Sequence, residues 1–195
     1  ATGDIGEPYK NYKGTPMGPD QTTLEEARQV IRDYDVADRL PKSVVDYIMN
    51  VGPEGETPKA FPENTYFLIN SLPDSCLTAK RISEEMGIPA IILTSFLEGE
   101  ARDVGTVFAS LAREIQNYGN PIKPPCVLLC SGEATTKILD NSVITGHGGP
   151  GQELTLSYSI SAKKAPGCVC LSIDSEGTDG TTVVAGGMTD STSYD

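Results

Sequence analysis

Between residues 65 and 173, short apolar runs alternate with longer helical patterns, and that alternation limits the fold more than any other feature of the chain. The runs 65–69, 90–93, 126–129 and 168–173 are rich in Ile, Val, Leu and Cys. Runs this short, with no polar alternation, read as strands buried on both faces, as in parallel sheets. One intervening helical pattern covers 75–86 and stops at Gly87. Another covers 100–118, with Val104, Phe108, Leu111 and Ile115 inward and Gly119 as its stop. The expected class is therefore α/β, a mostly parallel sheet flanked by helices. The segment 134–145 alternates more and carries Asp140-Asn141 midway, which suggests a hairpin whose strand-like second part leads to a glycine stretch and then to a helix over 152–162.

Upstream the character changes. Gly, Pro, Lys and Tyr dominate up to Gly18 and read as a loop; the chain opens on Ala1 rather than Met, as the middle of a longer protein would. Thr23 and Glu26 form a capping-box pattern ahead of Leu24, Ala27, Val30, Ile31 and Tyr34 at helical spacing. A second helix starts at Pro41 and carries Val44, Val45 and Ile48 on one face. Residues 51–64 are dense in Pro and Gly and read as a linker. The expected organisation is a helical remnant of another domain plus linker over 1–62, then an α/β domain over 63–195.

Composition excludes several classes. Fifteen Lys and Arg against 27 acids give a net charge of −12, which disfavours nucleic acid as a partner. No apolar run reaches the roughly 20 residues that span a bilayer, so no membrane partner is expected and a cytoplasmic address is the default. The five cysteines include no C-x-x-C pair and there is a single His, which fits neither a zinc site nor a disulfide framework. Reduced, mostly buried thiols are expected, although Cys126, Cys130, Cys168 and Cys170 fall on two strands that could be neighbours. Self-association as a homo-oligomer is compatible with the sequence.

The glycine stretch Gly146-His-Gly-Gly-Pro-Gly-Gln-Glu153 holds four glycines in six residues just before a helix. Bare amides beside a helix N-terminus can cradle a phosphate or carboxylate, so Gly146, Gly148, Gly149, Gly151 and Gln152 are candidate anion-binding residues. The plainer reading is a turn before a helix. His147 lies inside the stretch and is a candidate donor to a bound oxyanion. Polar residues also follow each apolar run: Asn70-Ser71, Thr94-Ser95 with Glu98-Gly99-Glu100, Ser131-Gly132-Glu133, and the stretch from Asp174 to Gly180. In open parallel sheets ligands bind beyond the carboxyl ends of the strands. That makes Glu133 and Asp179 candidate catalytic acids, Thr178 a candidate phosphate contact, and Asp179, with Asp4 in the first loop, a candidate Mg2+ ligand. Gly146, Gly148 and Gly151 also satisfy G-x-G-x-x-G, which raises a nicotinamide-dependent reductase as an alternative. A non-catalytic ligand-binding module is a third.

Ser131-Gly-Glu-Ala-Thr-Thr, the Gly146 to Leu154 stretch, and Gly177-Thr-Asp-Gly-Thr-Thr followed by Ala185-Gly-Gly together resemble the C-terminal (MOFRL) domain of the type 2 glycerate kinases. Asp4-Ile-Gly-Glu-Pro, Gly14-Thr-Pro with Pro19-Asp-Gln-Thr-Thr, and Glu98-Gly-Glu-Ala-Arg look like further signatures of that family, in the same order. The resemblance implies transfer of phosphate from ATP, with Mg2+, to D-glycerate in a cleft between two α/β domains. It also implies that family segments precede Ala1 and follow Asp195, and that 1–62 is the end of the first domain. There is one departure: where the family usually has an Arg-Asn pair, this chain has Pro150-Gly151. That leaves His147, or a lysine outside the chain, to supply positive charge to a transferring phosphoryl group.

Overall fold

The computed structural model describes residues 19–20, 22–60, 71–138, 146–163 and 165–194. They fall into two compact units, one holding the described residues up to 60 and the other those from 71 onward. The expected boundary at residue 62, the apolar run 65–69 and most of the expected hairpin over 134–145 lie outside the described residues.

In the first unit, α1 (Leu24–Asp33) starts on the expected capping box: Glu26 N donates to Thr23 Oγ1 at 3.2 Å and Thr23 N donates to Glu26 Oε2 at 2.7 Å. Helix α2 (Lys42–Asn50) follows, with Pro41 just ahead of it. Arg28 closes its end, donating from Nε to Ile48 O (2.9 Å) and from Nη2 to Val51 O (2.5 Å). The described part of the expected linker, 51–60, folds back onto the start of α1. Leu24 N donates to Glu56 Oε2 at 2.9 Å, Thr57 Oγ1 donates to Asp20 Oδ2 at 2.8 Å, and Asp20 N donates to Pro58 O at 3.1 Å. The Lys59 ammonium and the Leu24 amide hold the Glu56 carboxyl down to about 2, and Thr22 and Thr57 do the same for Asp20. Sequence read this stretch as a linker; it holds a single 3-10 turn at Pro53–Gly55, and an acid within it, Glu56, caps the distant start of α1, which local sequence could not show.

The second unit runs α3 (Leu72–Glu85), β1 (Ala90–Glu100), α4 (Ala101–Tyr118), β2 (Val127–Thr135), α5 (Pro150–Ser161), β3 (Val169–Ile173) and β4 (Gly186–Asp190). β1 and β2 pair in parallel, Ala90 with Val127 through Glu100 with Thr135, so both strands extend well past the apolar runs that announced them. The α/β class holds. β3 departs from the expected parallel arrangement: it pairs antiparallel with β4, Leu171 opposite Met188. β4 is Gly-Gly-Met-Thr-Asp, a sequence without β-branched runs, and gave no strand signal. Among the described residues no helix is long and apolar enough to cross a membrane.

The core lies between α4 and α5 and against β3. Ala101, Val104, Ala109 and Ala112 of α4 meet Leu154 and Tyr158 of α5, with Ala162, Ala165 and Cys170 completing the cluster. Small residues on α4 bring the helices close, and Gly105 sets the limit. A Cβ there would lie 2.3 Å from Leu154 O and 2.8 Å from Ser157 Cβ. Gly119 ends α4 in the left-handed conformation at φ 73°, as its position predicted. All five cysteines are free thiols, Cys76 and Cys170 buried and the other three partly so. Burial, with the Cys130 thiol nearby, pushes Cys170 up to about 11.

Two outcomes follow. Gly105→Val should lower stability by about 1–3 kcal/mol, because the added methyls meet backbone that cannot move away; the shift of the urea midpoint measures it. Cys170 is protonated and favoured in the fold, so its contribution is complete below the unfolded thiol's pKa of about 8.5 and is lost as pH rises through about 11. Melting temperature should fall across that window, and Cys170→Ala should flatten the decline.

Candidate functional site

Helix α5 begins where the glycine stretch ends. Gly149 is its N-cap and Pro150 its first residue, a position where a missing N–H costs nothing. The next two amides have no helical partner and need one. They find it in Asp179: Gly151 N donates to Asp179 Oδ1 at 3.0 Å and Gln152 N donates to Asp179 Oδ2 at 2.8 Å. The Gln152 side-chain amide donates to the same Oδ2 at 2.9 Å and to Thr182 Oγ1 at 3.0 Å. Thr182 Oγ1 in turn donates to Asp179 O at 2.7 Å. Asp179 is 2% exposed, so its charge is taken from water and returned to three N–H donors and the positive end of a helix.

The fit is close on every side. Gly180 holds φ 58°, and a Cβ on it would lie 2.2 Å from Gly148 O; one on Gly149 would lie 2.3 Å from Asp179 Oδ1. Thr181 N donates to Gly148 O at 3.1 Å, and Asp179 N donates to Val184 O at 2.7 Å. The Asp179 turn and the second half of the glycine stretch thus form one interlocked unit. Thr136 Oγ1 donates to Glu153 Oε2 at 2.6 Å, tying the chain just after β2 to the first turn of α5.

This changes the sequence reading in a definite way. Gly149, Gly151, Gln152 and Asp179 do come together, but the anion in that half of the cradle is the chain's own carboxylate. Both Asp179 oxygens face N–H donors, a poor arrangement for the expected metal ligand. Among the described residues, nothing lies within 4 Å of a Cβ added at Gly146 or Gly148. His147 and Thr178 are exposed. Glu133 is exposed on β2, with Glu98 of β1 as its cross-strand neighbour, three residues before the Thr136 tie. Asp4 lies outside the described residues. Among the described residues no group of three His, Cys, Asp or Glu could hold a metal ion. A separate hollow has Leu97, Val104, Val107 and Phe108 in its walls and Glu98, Glu100 and Asp103 at its margin, a negative setting unsuited to an anion. Sequence reasoning overlooked Thr182, Thr136 and Glu153. Thr182 was within reach, since it closes the quoted Gly177 to Thr182 motif.

Fold and site together define an α/β domain in which a glycine stretch, interlocked with an acidic turn, leads into a helix. Residues 126–195 match the MOFRL family. Over 97% of its length the chain is 35% identical to a glycerate 2-kinase of Pyrococcus horikoshii, and covers 43% of that protein. Over 94% it is 34% identical to an Agrobacterium vitis protein named as a hydroxypyruvate reductase, of which it covers 46%. Among solved structures, glycerate kinase from Thermotoga maritima superposes with a TM-score of 0.69 at 34% identity, over 89% of this chain and 39% of that one. A MOFRL match thus covers residues 126–195, and along nearly all of its length the chain is similar to glycerate 2-kinases, while spanning less than half the length of the relatives it matches.

Gly180→Ala should destabilise the second unit by about 1–3 kcal/mol, since it adds left-handed backbone strain to a clash with Gly148 O. Gly177→Ala is the control. It has φ 88° but nothing within 4 Å of its Cβ, so calorimetry should show the smaller loss there.

Proposed function

We propose that the protein containing this chain is a glycerate kinase that moves the terminal phosphoryl group of ATP to a hydroxyl of D-glycerate, at carbon 2 as the Pyrococcus relative's name specifies. The observation that favours it is the division of the glycine stretch. One half is locked by Asp179, while among the described residues nothing lies within 4 Å of a Cβ added at Gly146 or Gly148 beside it. Phosphoryl transfer depends on positioning and charge neutralisation rather than on a covalent nucleophile. In this reading the amides of Gly146 and Gly148 hold a phosphate or the substrate carboxylate, and His147 adds a donor where Pro150 and Gly151 replace the family's Arg-Asn pair. Thr178 offers a hydroxyl and Glu133 orients substrate. Mg2+, when bound, spreads the charge of the nucleotide phosphates. It keeps most of its waters and needs only one or two carboxylates, with Asp4 the candidate. Five free thiols suit a reducing cytoplasm.

A nicotinamide-dependent reductase has the name of the Agrobacterium relative and the G-x-G-x-x-G match in its favour. Against it, the helix N-terminus where a dinucleotide's pyrophosphate would sit is already filled by Asp179. The full-length protein incubated with ATP, Mg2+ and D-glycerate should release ADP and yield a 2-phosphate ester visible by 31P NMR. No ADP above background, together with NADH-dependent reduction of hydroxypyruvate, would reverse the assignment.

A further inference from the structure

We infer that the outer face of the β3–β4 sheet is a docking surface for a helix contributed by the same polypeptide from outside residues 1–195. The two faces of this sheet are unlike. On the inner one Cys170 is buried in the α4–α5 core, Thr189 Oγ1 donates to Thr155 O at 2.7 Å, and Ser172 Oγ lies 3.1 Å from a Cβ added at Gly151. Alternation along the strands turns Val169, Leu171, Ile173 and Met188 the other way. They are 57–70% exposed. Leu171 stands opposite Met188, with Val169 and Ile173 on either side of it along β3. An antiparallel sheet with one solvated face carries polar residues on that face. Here the polar Ser172 points inward and the outward positions of β3 are all branched aliphatics. Single apolar side chains on a surface are ordinary, but several side by side on one face mark a contact.

What covers the face follows from what is engaged, from area and from length. Helix α3 packs on β1 and β2, and α4 on α5. A separate partner needs about 800 Å² on each side for a stable interface, more than four side chains on two five-residue strands supply. A segment of the same chain needs less, because tethering raises its effective concentration. Chain of that kind is available in the relatives: residues 1–195 span 43% of the Pyrococcus glycerate 2-kinase and 39% of the Thermotoga structure. A helix is the fitting complement, since α/β domains cover their sheets with helices, as α5 does on the inner face. Docking here is independent of the reaction the protein performs.

The test uses the full-length protein. In Leu171→Cys, maleimide labelling read by peptide mass spectrometry should be at least about tenfold slower at residue 171 than at residue 183 in Val183→Cys, a position 94% exposed. Equal rates overturn the inference. With p-benzoylphenylalanine in place of Met188, irradiation should join residue 188 to a peptide of the same polypeptide from outside 1–195, at residues three or four apart as on one helix face. Mixing 14N- and 15N-labelled protein identifies a second copy on this face. A mixed-isotope crosslink, crosslinks confined to residues 1–195, or none at all overturns the inference. The two variants are read separately, so if one does not fold the other decides.

Discussion

The second unit depends on one contact, the Asp179 carboxylate seated on the first free amides of α5. A helix that begins with Pro150 and lacks a side-chain cap on Gly149 would leave its amides unpaired in a buried setting, which is costly. A charge supplied from 28 residues downstream of Gly151 removes that cost. It also draws the 174–186 turns onto the glycine stretch, so that β3 and β4 pair beneath α5. Thr189 Oγ1 then donates to Thr155 O at 2.7 Å, and a Cβ at Gly187 would meet Thr155 Oγ1 at 2.4 Å. Helix start, turn and sheet are one device.

A second constraint comes from small residues. Gly105 and the alanines of α4 allow α5 to approach until Ser157 Oγ reaches Arg102 O, and Arg113 Nη1 donates to Ser161 O at 3.1 Å on the same seam. That approach fixes the axis of α5 and therefore the direction in which its N-terminus points. The glycine stretch is thus placed by packing from one side and by Asp179 from the other. The outer face of β3, with Val169, Leu171 and Ile173, stays exposed, as does Met188 opposite Leu171.

Much of this was legible in the residues. Thr23 and Glu26 announced α1, Gly119 ended α4, and the apolar runs located β1, β2 and β3, because local chemistry decides each. What was not legible depended on distant partners. The Thr94-Ser95 and Glu98-Gly99 breaks read as loop, yet pairing with β2 carries β1 through them to Glu100. Asp179 read as a candidate metal ligand, since an acid before a glycine looks alike whether it binds a cation or caps a helix, and only the position of α5 separates the two. The acids of 51–60 were hidden for the same reason. For the site, the glycine stretch was legible as a run of bare backbone before a helix, but that Asp179 fills its second half could not be seen without the turn that brings the carboxylate there.

The central claim is that the first free amides of α5 are satisfied from within, by the Asp179 carboxylate. Couplings across hydrogen bonds, read in a long-range HNCO spectrum, test it directly. The account predicts correlations from the Gly151 and Gln152 amides to the Asp179 carboxylate carbon that persist when phosphate is added. Absence of both correlations, with those two amides shifting on phosphate addition while Gly146 and Gly148 stay still, would contradict it.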